Sequence, residues 1–152
     1  MIQTSTQFPD CFYRVTIKGM CVRGGRLLLS RESESHSGRK WELPGGGLDF
    51  GEDISAALAR EIKEEMGLVV TKISEAPIYA WTSKSENLRG LDWFYSCVLV
   101  YRVEFENLDI SVSDECEAVE FFDEAALQNV RLSRQLEPLK GLFKPAHFTD
   151  VF

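Results

Sequence analysis

The chain is short of positive charge. Its 17 lysines and arginines face 24 aspartates and glutamates, a formal net charge of −7 over 152 residues, which argues against a protein that grips a nucleic acid polymer through a basic surface. Long hydrophobic runs are missing too. The longest, Cys97-Val98-Leu99-Val100-Tyr101, falls far below the roughly 18 residues that a membrane-spanning helix needs, so no membrane partner is expected. Met1 to Asp10 has neither a basic patch nor an apolar stretch and does not read as a signal peptide. The cysteines Cys11, Cys21, Cys97 and Cys116 show no C-x-x-C pairing and no zinc-type spacing. Cys21 and Cys97 lie in apolar runs, where a small buried hydrophobe is the expected role, and a reducing cytoplasm fits this cysteine usage. The two histidines, His36 and His147, stand in polar or terminal segments without metal-ligand spacing and are expected to be incidental.

What is present is ordinary for a globular domain: 44% hydrophobic and 27% charged residues exclude a disordered or fibrous chain. The length suits one domain over residues 1–152, and no repeat or linker-like stretch divides it. Phe12 to Val22 and Arg26 to Arg31 are rich in apolar residues on either side of Gly24-Gly25 and predict a hairpin. Glu32 to Lys40 predicts a loop, Trp41-Glu42-Leu43 a short strand stopped by Pro44, and Gly45-Gly46-Gly47 a turn. Further strands are expected over 69–73, 78–81, 93–105 and 119–122, with a loop from Ser83 to Gly90. Asp123 caps a helix through Gln128, and Leu132 to Phe143 reads as helical with a break or restart at Pro138. Strands interleaved with a few helices predict an α/β or α+β arrangement around a mixed sheet.

Between Asp53 and Met66 the apolar period becomes helical, with Ile54, Leu58, Ile62 and Met66 on one stripe and Gly67 as the stop. The same stretch carries Glu61, Glu64 and Glu65, which crowd one edge of that stripe; Glu65 falls within its boundary, and Lys63 turns away. On an open helix such pairs cost a few tenths of a kcal/mol. Beside a core, at an effective dielectric near 20, two charges about 6 Å apart repel by about 3 kcal/mol. A helix that needed only solubility would not collect that repulsion, and a divalent cation removes it. Carboxylate oxygens without histidine or cysteine suit Mg²⁺ or Mn²⁺ rather than zinc. The glycines just upstream let the backbone approach a metal or phosphate closely, and Arg60 is placed to pair with Glu64 at i+4.

The stretch Gly46 to Leu68, GGLDFGEDISAALAREIKEEMGL, resembles the Nudix box at every fixed position: Gly46, Glu52, Arg60-Glu61-Ile62, Glu64-Glu65 and Gly67-Leu68. The lead-in Trp-Glu-Leu-Pro-Gly-Gly-Gly and the surrounding strands also look like a Nudix domain. The resemblance implies an α/β fold, a Nudix-type α/β/α sandwich around a mixed β-sheet, and a metal-dependent pyrophosphohydrolase that cleaves the diphosphate of a small nucleotide. It implies Glu61, Glu64 and Glu65 as metal ligands, with Glu61 able to exchange into a base role. Arg60 becomes the orienting partner, Glu52 a structural acid, Gly45 a carbonyl ligand, and Mg²⁺ or Mn²⁺ the cofactor. A later carboxylate serves as proton acceptor in some members, and Glu86, Glu115 and Glu117 are the candidates here. Arg31, Arg39 and Glu115 are the expected substrate contacts, with Lys40 flanking the same approach. Trp81, Trp93, Phe94 and Tyr95 are expected to pack the sheet rather than stack a base. The family's downstream subgroup markers, a proline or a tyrosine, are replaced by Ser83, Lys84 and Ser85, while Pro77 and Tyr79 come too early. The substrate therefore stays open between nucleoside triphosphates and NDP-sugars, with capped RNA disfavoured by the missing basic channel. A homodimer is compatible with all of this. The competing reading is a Nudix-like nucleotide-binding or regulatory module without turnover, which usually shows a degraded box.

Overall fold

The computed structural model describes residues 13–88, 91–149 and 152, with side chains at all of these except 36–37 and 85–94. The first strand, β1 (Tyr13–Met20), lies parallel to the long β8 (Leu91–Phe105), from Tyr13 opposite Tyr95 to Met20 opposite Arg102. On its other edge β1 pairs antiparallel with β5 (Gly45–Gly47). The far edge of β8 takes β7 (Tyr79–Leu88) and then β6 (Val70–Ile73), both antiparallel, giving a mixed five-stranded sheet. A second, antiparallel sheet contains β2 (Val22–Arg23), β3 (Arg26–Arg31), β4 (Trp41–Glu42) and β9 (Ala118–Phe122). The mixed sheet with helices is of the α/β class anticipated from the sequence.

Three local expectations change. The strand expected over Phe12–Val22 breaks at Cys21, and only Val22 and Arg23 pair with β3 across Gly24-Gly25, because Tyr13 to Met20 is recruited by β8 instead. The Ser83–Gly90 loop gives way to strand as far as Leu88: the polar run pairs residue for residue with β8, Glu86 opposite Trp93. Alternation of side-chain character is weak there, and the ladder rather than the pattern makes it a strand. The glycine run is a strand as well. Within Glu32–Lys40 a one-turn helix, α1 (Glu34–Ser37), interrupts the loop.

The helix α2 (Ile54–Met66) begins at Asp53, whose side chain accepts the Ala56 N–H at 2.9 Å, and ends at Gly67 in the left-handed region with φ 73°. Leu58, Ile62 and Met66 are fully buried against Ile17, Leu28, Tyr101 and Val103, each side chain contributing about 1.5–3 kcal/mol. On the other face of β1 and β8, Met20, Val98 and Val100 pack under Leu27, Leu29 and Leu43 and under the C-terminal turns. Those turns are α3 (Glu124–Leu127), capped by Asp123, a 3₁₀ turn Arg134–Leu136, α4 (Leu139–Leu142) and a 3₁₀ turn Pro145–Phe148. Pro138 stands at the start of α4, so of the break or restart expected there the restart is found. His147 acquires a role the sequence did not show, its Nδ1 lying 2.7 Å from the Tyr79 hydroxyl.

Gly45 is the point at which β5 lies closest against β1. Its φ is 138°, and a Cβ there would stand 2.0 Å from the Ile17 carbonyl oxygen. Gly45→Ala is expected to cost about 2–3 kcal/mol through strain and overlap, measurable as a lowered urea midpoint.

Candidate active site

Burial of Leu58, Ile62 and Met66 fixes the rotation of α2, and its carboxylates follow from that rotation. Glu61 and Glu65 come out half-buried beside β5, while Glu64 is exposed. The Gly45 amide donates to Glu65 Oε2 at 3.2 Å. Gly46 lies against the Glu61 carboxylate so closely that a Cβ would sit 2.9 Å from its Cδ. Ahead of the helix, Glu52 accepts the Asp49 N–H at 3.0 Å and an Arg60 Nη2 bond at 2.9 Å, tying the 48–52 loop to the helix.

A family model described as the NUDIX domain matches residues 13–143. The chain belongs to this family. It is 28% identical over 109 residues to an ADP-ribose pyrophosphatase of Methanocaldococcus jannaschii, covering 72% of this chain and 61% of the relative. It is 37% identical over 73 residues to an RNA pyrophosphohydrolase of Novosphingobium aromaticivorans, covering 45% of each. The chain thus spans less than two thirds of the length of either curated relative. The crystal structure of a MutT NUDIX hydrolase from Burkholderia pseudomallei superposes with a TM-score of 0.68 at 25% identity, covering 86% of this chain and 98% of that one.

The Nudix helix does not present its three ligand-type carboxylates together. Arg60 gathers Glu52, Glu61 and Glu64, with Nη1 3.3 Å from Glu61 Oε1 and 3.2 Å from Glu64 Oε2. Glu65 turns instead toward the glycine strand and into the field of Lys18. Among the described residues, no three acidic, histidine or cysteine side chains stand close enough to hold a metal ion.

The donor chemistry nonetheless suits a hard divalent cation. Glu61, Glu64 and Glu65 offer oxygens only, and the glycine strand lets the backbone lie close beside Glu61 and Glu65. Burial, opposed by Lys18 and by the Gly45 amide, pushes the Glu65 carboxyl up to about 8, with Glu115 and Glu61 adding repulsion. Burial thus favours the protonated form of this carboxyl near neutral pH in the cation-free protein, and a bound divalent cation would favour its ionised form. The neighbouring Cys116 thiol is pushed up to about 11 by burial and the Glu65 charge, so no thiolate competes at neutral pH.

Sequence reasoning missed Lys18 and Glu42. The Lys18 side chain is 8% exposed on β1, donates to the Leu43 carbonyl at 3.1 Å, and lies 3.3 Å from Glu42 Oε1, itself 13% exposed. Burial pulls the Lys18 pKa down, and the Glu42 and Glu65 carboxylates more than reverse it. A single lysine in a β-branched strand gives no sign of such a role; only the pairing of β1 with β5, Lys18 opposite Gly45, brings it here.

The other anticipated residues divide clearly. Arg31 pairs with Glu117 at 3.2 Å and covers the Trp41 ring at 5.6 Å. Arg39 is exposed, with a 3.7 Å contact to Glu34. Glu115 is exposed on the loop before β9, and its charge reaches Glu65. Trp81 donates its indole N–H to the Gln135 carbonyl at 2.9 Å, and Tyr95 stacks with Tyr13 at 5.5 Å. The side chains of His36, Glu86, Trp93 and Phe94 and all of Cys11 lie outside the described residues.

Lys18→Met strands a half-buried Glu42 and is expected to destabilise the protein by about 3–5 kcal/mol, whereas Lys18→Met with Glu42→Gln should recover most of that loss; urea melts of both variants compare them. Without divalent cations, the folded chain keeps the Glu65 proton up to a pH of about 8, while the unfolded chain releases it near the ordinary 4.5. The folded state holds the extra proton across that window, so this contribution is full at low pH and is lost as pH rises. Melts in EDTA between these limits should show it, and Glu65→Gln should flatten the slope.

Proposed function

We propose that this chain is a divalent-cation-dependent hydrolase of the pyrophosphate bond in small nucleotides. The observation that carries the reading is the intact acidic half of the helix, Glu61, Glu64 and Glu65, set against a glycine strand whose amide already engages Glu65. The curated relatives named above act on pyrophosphate linkages, which supports the reaction type. The net charge of −7 favours free nucleotides over RNA. The free thiols of Cys21, Cys97 and Cys116 support a reducing compartment.

Glu61, Glu64 and Glu65, with the Gly45 backbone, would hold Mg²⁺ or Mn²⁺. Such an ion supplies charge compensation for the diphosphate and acidifies the attacking water. Arg60 orients Glu61 and Glu64 and keeps Glu52 attached to the helix. Glu115, exposed beside Glu65, accepts a proton from the water. Glu61 stays the other candidate for that transfer, while Glu117 is occupied by Arg31. Arg39 is the freer of the two arginines for substrate phosphate, since Arg31 has both Glu117 and Trp41 as partners.

The test is product release from nucleoside triphosphates, NDP-sugars and 5′-triphosphorylated RNA with Mg²⁺. Turnover of the small nucleotides is expected. Salt-sensitive turnover confined to RNA would overturn the substrate class, and nucleotide binding without turnover would favour the regulatory-module reading. Glu64→Gln and Glu65→Gln should each lower kcat by roughly 10²-fold or more, without loss of stability in EDTA near neutral pH, because Glu64 is exposed on an acidic helix face and Glu65→Gln replaces a carboxyl that is already protonated there.

A further inference from the structure

The C-terminus of the Nudix helix leaves carbonyls that the helix itself cannot satisfy. Gly67 N–H takes the Lys63 carbonyl at 2.9 Å, and the next partners come from a distant loop. Ser111 N–H donates to the Met66 carbonyl at 2.7 Å, and Ser113 Oγ donates to the Glu65 carbonyl at 2.8 Å. Ser113 also closes a tight turn: its amide donates to the Cys116 carbonyl at 2.9 Å, and its Oγ accepts the Cys116 N–H at 3.1 Å. Cys116 is fully buried beneath the turn, and the Asp114 carbonyl accepts the Ser33 N–H at 2.9 Å. Glu115 therefore projects from between two anchored residues.

One hydroxyl thus joins the backbone of Glu65 to the turn that carries Glu115. We infer that Ser113 is a positioning residue of the cation site, holding Glu115 in register with Glu65 so that a loop remote in sequence completes the carboxylate set of the helix. The inference rests on the proposed participation of Glu115 at that site. A cap of this kind also contributes to stability, so a change in stability alone does not distinguish positioning from simple docking. Coupling to Glu115 does.

The experiment is a double-mutant cycle on Mn²⁺ affinity of the substrate-free protein, read as free Mn²⁺ by electron paramagnetic resonance, with thermal melts alongside. Glu115→Gln and Ser113→Ala should each weaken Mn²⁺ binding by about 10-fold, the scale found when partners of metal ligands are lost. Ser113→Ala should add no further loss in the Glu115→Gln background, and Ser113→Thr should restore the affinity. Wild-type affinity in Ser113→Ala, or the same loss in both backgrounds, overturns the proposal. Unchanged affinity in Glu115→Gln removes Glu115 from the site and the proposal with it, while the hydrolase reading still stands or falls on turnover. If Ser113→Ala does not fold, Ser113→Cys, which keeps the shape and weakens the hydrogen bond, takes its place in the cycle.

Discussion

The rest of the site depends on the crowding of like charge along the edge of the buried stripe of one helix. Leu58, Ile62 and Met66 are fully buried, so α2 cannot rotate to spread Glu61, Glu64 and Glu65 into solvent. The repulsion has to be offset where it stands. In the protein alone, two basic side chains share the compensation. Arg60 on the surface takes Glu52, Glu61 and Glu64, and Lys18 in the interior acts on Glu42 and Glu65. The two are not equivalent. A 40% exposed arginine in contact with water can release its partners at little cost, whereas a buried lysine paired with a half-buried glutamate cannot leave without stranding a charge.

This asymmetry gives the site a fixed half and an adjustable half. Glu65 belongs to the fixed half, docked on the Gly45 amide, backed by Lys18 and held from behind by the Ser113 contact to its carbonyl. Glu61 and Glu64 belong to the adjustable half, their present partner being Arg60. A divalent cation held as proposed by these carboxylates would replace arginine contacts rather than break the core. The glycine strand makes this compatible with packing, because β5 runs so close to β1 and to Glu61 that neither Gly45 nor Gly46 has space for a side chain.

Much of the site could be read along the chain because it is short-range. The 23-residue stretch from Gly46 to Leu68 contains the helix, its cap at Asp53, its stop at Gly67, and the i,i+4 contact of Arg60 with Glu64, all governed by helical periodicity. The short strands around it, Trp41–Glu42, Val70–Ile73 and Ala118–Phe122, were legible from apolar and β-branched runs bounded by turn residues. Gly45–Gly47 and the polar end of β7 were not, since their strand character comes from hydrogen bonding to neighbours distant in sequence rather than from their own side chains.

The sequence by itself determined the family, the helix, and the identity and spacing of the acidic residues, because each depends on neighbours within a turn or two. Only the tertiary structure decided how those charges are partnered. Lys18 reaches the glycine strand because β1 pairs with β5, and the loop that bears Glu115 docks on the end of α2 because it supplies the partners that the carbonyls there lack. Both are closures over long stretches of chain, driven by backbone groups seeking partners and by burial of apolar surface, and neither leaves a periodic trace in the local order of residues.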